Sequence, residues 1–320
     1  MKRLFMLSAL VLAAVCHAGN PMVADPTVIN VEGTYYLLGT NGGGSDVGFP
    51  VYESTDLVSW QRNDSLALRP GNVFGTKWFW APQIIKHNGG YMMFYTAEEQ
   101  IAYAYADAPQ GPYTGGDVFV SDKRMIDPFL FVDADGSAYL YHVRLDNGNN
   151  IYVAKMDSTF TQPDFSTLQL CIRSDQQWEN TWDAQWPVAE GPTVLRLNGK
   201  YVMLYSSNDF RNPDYAVGIA TADSPMGPWV KRDRPLLSRH TIAPVAAAAL
   251  EAAALPQKLG KDGTLIDGTG HGDIFYGADN QMYYIFHIHN APGTPSPRRT
   301  AIIALDSATL EPDITTFRIL

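Results

Sequence analysis

One phrase recurs five times along this chain. A strand-like run opens at a proline or glycine, a tight turn follows, and an aromatic run comes next. The copies are Pro26-Thr27-Val28-Ile29 with Tyr35-Tyr36-Leu37-Leu38, Pro82-Gln83-Ile84-Ile85 with Tyr91-Met92-Met93-Phe94-Tyr95, and Pro128-Phe129-Leu130-Phe131 with Tyr139-Leu140-Tyr141. Two more follow, Pro192-Thr193-Val194-Leu195 with Tyr201-Val202-Met203-Leu204-Tyr205 and Gly272-Asp273-Ile274-Phe275 with Tyr283-Tyr284-Ile285-Phe286. The joining turns carry Gly33, Gly89-Gly90, Asp135-Gly136, Asn198-Gly199 and Asp279-Asn280. These residue types accept the positive φ that tight hairpins demand. A third run closes each unit two residues before an aspartate: Asp56, Asp107, Asp157, Asp223 and Asp306.

A unit of about 60 residues with several strands cannot bury both faces alone, and radial repetition solves that problem. The expected fold is therefore all-β, a five-bladed β-propeller forming one domain over residues 19–320. A length of 320 residues would otherwise allow two ordinary domains. One stretch breaks the pattern: Ala243 to Ala254 reads as a short helix inserted before the last unit, an excursion rather than a pocket lid.

Hydrophobic residues make up 46% of the chain and charged residues 18%, which excludes a mainly disordered protein. The net charge of −10 gives no electrostatic attraction to phosphate backbones, so no nucleic-acid partner is expected. Residues 1–18 read as a secretory leader: Lys2-Arg3, an apolar run from Leu4 to Val15, then Cys16-His17-Ala18. The run is too short to span a bilayer, which takes about 20 apolar residues. The protein is expected to be exported, with lipid attachment at Cys16 the less favoured variant. Cleavage leaves Cys171 as the remaining cysteine, so no intramolecular disulfide is expected and the core must hold the fold.

The first strand of each propeller blade lines the central channel. The residue one or two places before each anchor should point into one face, and those residues are Asp25, Ala81, Asp127, Glu190 and His271. Three carboxylates converging in a concave site repel one another, an arrangement retained where chemistry uses it. Two carboxylates flanking an acetal suit glycoside hydrolysis, one protonated and one ionised. Trp80, Trp182 and Trp186 stand near these anchors in sequence and could stack on sugar faces.

The series Ala24-Asp25-Pro26, Trp80-Ala81-Pro82, Ile126-Asp127-Pro128, Glu190-Gly191-Pro192 and Gly270-His271-Gly272 resembles the motifs of glycoside hydrolase family 43. That resemblance runs from about Ala24 to the end of the chain. It implies a five-bladed propeller and inverting hydrolysis with no cofactor required for the chemistry. By the same resemblance Asp25 would be the general base, Glu190 the general acid, and Asp127 the residue that orients Glu190 and raises its pKa. Trp80, Trp186 and Arg298 would contact substrate, with Arg299 competing for the role of Arg298. His271 would lie near a hydrated Ca2+ in the central channel.

The expected partner is a plant cell-wall oligosaccharide or polysaccharide, and the expected state a monomer. By the same resemblance α-L-arabinofuranosidase activity ranks first, because the polar stretches Tyr141 to Asn149 and Ser207 to Tyr215 look more like exo-acting members of the family than endo-arabinanases. β-Xylosidase ranks second, exo-β-1,3-galactosidase is a further possibility within the family, and a non-catalytic carbohydrate-binding propeller is the rival from another class. His287 and His289 share one strand face and are read as polar residues facing the channel or solvent, not as a metal pair. Asp133-Ala134-Asp135-Gly136 reads as a turn, since a calcium loop's later bidentate Glu is missing. Gly42-Gly43-Gly44 reads as a flexible loop beside the channel.

Overall fold

Each repeat folds into one antiparallel sheet, and the five sheets form the blades of a five-bladed β-propeller. The computed structural model describes residues 17–18, 20–41 and 47–320. The expected leader apart from His17 and Ala18, the lipidation candidate Cys16, and the Gly42-Gly43-Gly44 loop lie outside the described residues.

Blade 1 comprises Val23–Val31, Thr34–Asn41, Val51–Ser54 and Gln61–Arg62, with His17–Ala18 paired on its outer edge. Blade 2 comprises Trp80–His87, Gly90–Ala97 and Gln100–Ala106. Its outer edge is completed only by single bridges from Thr114 and Val118. Blade 3 runs through Met125–Val132, Ala138–Leu145, Asn149–Met156 and Pro163–Ile172. Blade 4 runs through Ala189–Leu197, Lys200–Ser207, Ala216–Ala222 and Val230–Lys231. Gly270–Tyr276, Met282–Ile288, Arg299–Leu305 and Pro312–Ile319 make blade 5.

The core is divided into five slabs, one at each junction between neighbouring blades. The aromatic second strands explain why. Side chains alternate across a strand, so Met92 and Phe94 pack toward blade 3 while Met93 and Tyr95 pack toward blade 1. Val202 and Leu204 likewise face blade 5, and Met203 and Tyr205 face blade 3. Both faces of each central strand are buried, which is why these runs read as nearly continuous apolar stretches. Truncating one such side chain costs roughly 2–5 kcal/mol. The ring closes between blades 5 and 1, where the Thr300 hydroxyl donates to the Val23 carbonyl (3.1 Å).

The Ala-rich stretch forms one short helix, Ala246–Ala252, and a further turn of helix, Arg239–Ile242, precedes it. Ser238 caps that turn by accepting from the Thr241 backbone N–H (3.3 Å). Ile242, Ala246, Ala249 and Leu250 join the slab between blades 4 and 5. The insertion is an excursion that covers this junction.

Every inner strand breaks register at its anchor. The residue at the break has left-handed backbone in each blade: Asp25 (φ 49°), Ala81 (45°), Asp127 (55°), Gly191 (59°) and His271 (44°). These β-bulges re-aim side chains toward the propeller axis. In blade 4 the left-handed residue is Gly191, so Glu190 stands one place earlier than the other candidates. It shares the register position of Trp80 and Ile126, and all three line the same cavity. Glycine is required at 191 because a Cβ there would lie 2.7 Å from Cδ2 of His271.

Candidate active site

A cavity of 750 Å³ opens over the propeller axis, in the size range of small-molecule sites. Asp25, Asp127, Glu190 and His271 lie in its lining, with Trp80, Trp186 and Arg298. The structure therefore brings together all seven site residues expected from the sequence. Trp182 is 53% exposed and is not in that lining. Arg299 follows Arg298 on the chain and lines a different cavity beside Leu250 and Pro256, which settles the choice between the two arginines as pocket residues.

Asp25 is held from several sides. The Thr40 hydroxyl donates to Oδ2 (2.6 Å), and Arg298 Nη1 lies 3.4 Å from Oδ1. Nδ1 atoms of His271 and His287 each lie 3.3 Å from Oδ1. The Asp25 backbone N–H donates to His287 Nδ1 (3.2 Å). Burial opposes ionisation of Asp25, but His271, Arg298 and His287 outweigh it and hold the carboxyl well below the usual range. Burial also pushes His271 down, and His287 to about 3. Both rings are thus neutral near pH 7, and Arg298 carries the standing positive charge.

Glu190 has the opposite surroundings. Burial raises its carboxyl to about 7, with help from the charges of Asp25 and Asp209. Hydrogen bonds from Tyr215 to Oε1 (2.8 Å) and from Asn149 to Oε2 (2.9 Å) oppose that rise. Asp127 accepts from the Gly191 backbone N–H (3.2 Å). Burial, then the charges of Glu190 and Asp25, push Asp127 well above its ordinary value. The site therefore joins one firmly ionised carboxylate to two that retain protons more readily.

Several lining residues carried no repeat signal: Thr40, Asn41, Asn149, Asp209 and Phe210. Asn149, Asp209 and Phe210 fall in the two polar stretches noted above, but nothing there marks them individually. The Arg298 guanidinium lies 4.6 Å from the centroid of the Phe210 ring, a cation–π contact. His287 and His289 are both buried, so the solvent-facing reading fails; His287 reaches Asp25, whereas His289 lines the separate cavity beside Leu250 and Pro256. His289 Nε2 meets the Phe210 carbonyl at 2.7 Å. Asp133 to Gly136 is a turn, closed by the Gly136 N–H on the Asp133 carbonyl (2.9 Å).

The family model described as "Glycosyl hydrolases family 43" matches residues 19–306. The chain belongs to that family. The hydrolase is 26% identical over 246 residues to extracellular endo-α-(1→5)-L-arabinanase 1 of Bacillus subtilis (strain 168), covering 69% of this chain and 71% of the relative. It is also 26% identical over 261 residues to xylosidase/arabinosidase 43A of Humicola insolens, covering 66% and 79%. Among solved structures it superposes on an endo-1,4-β-xylanase from Bacteroides thetaiotaomicron VPI-5482 with a TM-score of 0.78 and 34% identity, over 96% and 97% of the two chains. The enzyme is thus an O-glycosyl hydrolase.

Proposed function

We propose that this enzyme removes α-L-arabinofuranosyl residues from plant cell-wall oligosaccharides or polysaccharides by a single displacement with inversion. The observation that carries the mechanism is the opposed ionisation of Asp25 and Glu190 in one cavity. Asp25 takes a proton from water as the water oxygen bonds to the anomeric carbon. Glu190 gives its proton to the glycosidic oxygen as the carbon–oxygen bond breaks. Asp127 orients Glu190 through the neighbouring Gly191, whose backbone N–H donates to it. Trp80 and Trp186 supply apolar faces for sugar rings, and Arg298 supplies donors beside Asp25.

A xylosyl substrate is the second reading, supported by the solved relative at 34% identity that is described as a xylanase. Export rests on the leader-like residues 1–18 and on the extracellular description of the Bacillus relative. Mass spectrometry of the native N-terminus tests it. No helix among the described residues is long and apolar enough to cross a membrane.

The hydrated Ca2+ expected near His271 would take its oxygens chiefly from water, so it does not depend on a protein cage. No three His, Cys, Asp or Glu side chains among the described residues converge to hold a metal, and calcium takes six to eight oxygens. His271 also lines a small channel cavity of about 30 Å³, room for ordered water. No step is derived through an ion.

Rates on p-nitrophenyl α-L-arabinofuranoside, β-D-xyloside and β-D-galactoside test the substrate. Release confined to the arabinoside supports the first reading, and preference for the xyloside promotes the second. Proton NMR of the first-formed sugar tests inversion. No release from any glycoside or from arabinan oligosaccharides would leave a binding propeller.

A further inference from the structure

Asn149 joins two groups that the repeat pattern does not connect. It opens the third strand of blade 3, at the seam with blade 4. Its backbone N–H donates to the Pro187 carbonyl (2.9 Å), which clamps it to the segment leading into Glu190. Its side chain then spans two partners. Trp186 Nε1 donates to Asn149 Oδ1 (2.9 Å), and Asn149 Nδ2 donates to Glu190 Oε2 (2.9 Å).

The direction of this relay is fixed by chemistry. An indole N–H can only donate, so it selects the amide oxygen. That choice turns the amide NH₂ toward Glu190. The other Glu190 oxygen, Oε1, is taken by the hydroxyl of Tyr215, which is fully buried. Oε2 is therefore the oxygen on the Asn149 side, and Asn149 and Trp186 both line the cavity. Trp186 is 45% exposed and offers a ring face to an incoming sugar.

We propose that Asn149 is a positioning residue that couples sugar binding on Trp186 to proton delivery by Glu190. The inference rests on the acid role given to Glu190 above. A sugar seated on Trp186 fixes the indole, the indole fixes the amide, and the amide fixes Oε2 toward the departing oxygen. No bond beyond the glycosidic one is made or broken, and the proton still passes from Glu190 to the leaving group. The relay matters most where the leaving group needs that proton. A sugar alkoxide needs it strongly, and a p-nitrophenolate needs it little.

The test compares wild type, Asn149→Ala and Trp186→Phe on an oligosaccharide cleaved by the wild type and on its matching p-nitrophenyl glycoside. Trp186→Phe keeps an aromatic ring at an exposed site, so a folding defect is not at issue. It deletes the donor and part of the stacking face, so the bias is read in kcat, apart from any rise in KM. Asn149→Ala is expected to lose on the order of 10- to 100-fold in kcat on the oligosaccharide, within the range of general-acid contributions, and about threefold or less on the aryl glycoside. Trp186→Phe should show the same bias, more weakly. Loss of a donor to Glu190 should also move the basic limb of the pH profile upward in Asn149→Ala. Equal losses on both substrates with an unmoved basic limb would overturn the coupling. Glu190→Gln run in parallel separates the two claims. Full activity there overturns the acid role and the relay with it, whereas an inactive Glu190→Gln beside an unbiased Asn149→Ala overturns the relay alone.

Discussion

Tyr215 and His287 stack with ring planes 10° apart and centroids 5.5 Å apart, and each reaches a different carboxylate. The Tyr215 hydroxyl donates to Glu190, while His287 meets both the backbone and the carboxylate of Asp25. The pair bridges blades 4 and 5 beneath the cavity and is fully buried. It is a rigid spacer between the two groups whose separation decides whether a water fits, about 6.5–9.5 Å in inverting glycosidases.

Tyr215→Phe keeps the stack and removes the hydroxyl. A donor to the ionised carboxylate lowers its pKa, so its loss should raise the Glu190 carboxyl above about 7. The basic limb of kcat/KM should move to higher pH, and kcat should fall roughly tenfold for one charge-assisted hydrogen bond. A pH–rate profile checks both.

Gly191→Ala should damage both fold and activity. The residue has φ 59°, and a Cβ would lie 2.7 Å from the His271 ring. Left-handed alanine plus displacement of His271 should cost about 1–3 kcal/mol. The Gly191 N–H to Asp127 would shift as well. Thermal melting and kcat measured on the same sample test this.

Much of this was legible in the sequence, and the reason is periodicity. Aromatic second strands and turn residues recur at each blade, so the fold follows from repetition. Asp25 and Asp127 are visible because bulges place them just before prolines. Glu190 is visible for a weaker reason, since the bulge residue in its blade is Gly191. Asn149, Thr40 and Phe210 enter from second strands, third strands and loops, where no repeat constrains identity. Tyr215 reaches Glu190 from the edge of a loop, and only the folded ring brings them together. Arg298 and Arg299 could not be ranked from spacing, because which neighbour faces the cavity depends on where the strand begins.

Arg239→Met should loosen the pocket wall without touching the carboxylates. The guanidinium meets Asp214 at 2.7 Å, Asp262 at 2.5 Å and Asp267 at 3.5 Å. Asp214 closes the segment that carries Asp209 and Phe210, and its carbonyl accepts from the buried Asn208 side chain (2.9 Å). Removing the largely buried cation should cost on the order of 2 kcal/mol, below the full buried-pair range because Asp214 and Asp262 are partly solvated. KM should rise with kcat little changed. Steady-state kinetics and melting in parallel test the split.

Glu190→Gln should change stability with pH in a defined sense. The folded-state carboxyl is raised from 4.5 to about 7, so the folded protein holds a proton that the unfolded chain releases first. That contribution is full below 4.5 and is lost as pH rises through 7. Glutamine has no such loss. The variant's Tm relative to wild type should therefore increase from pH 5 to pH 8, as melting curves at the two values would show.

The pH dependence of kcat/KM, measured for wild type and Glu190→Gln on the same oligosaccharide, bears most directly on the opposed ionisation of Asp25 and Glu190. Wild type should stay active well below neutrality, because Asp25 remains ionised there, and should lose activity as pH rises through about 7. Glu190→Gln should lose at least about 100-fold, and its residual rate should show no basic limb. A variant that keeps near-wild-type activity, or that retains the same basic limb, would contradict the assignment.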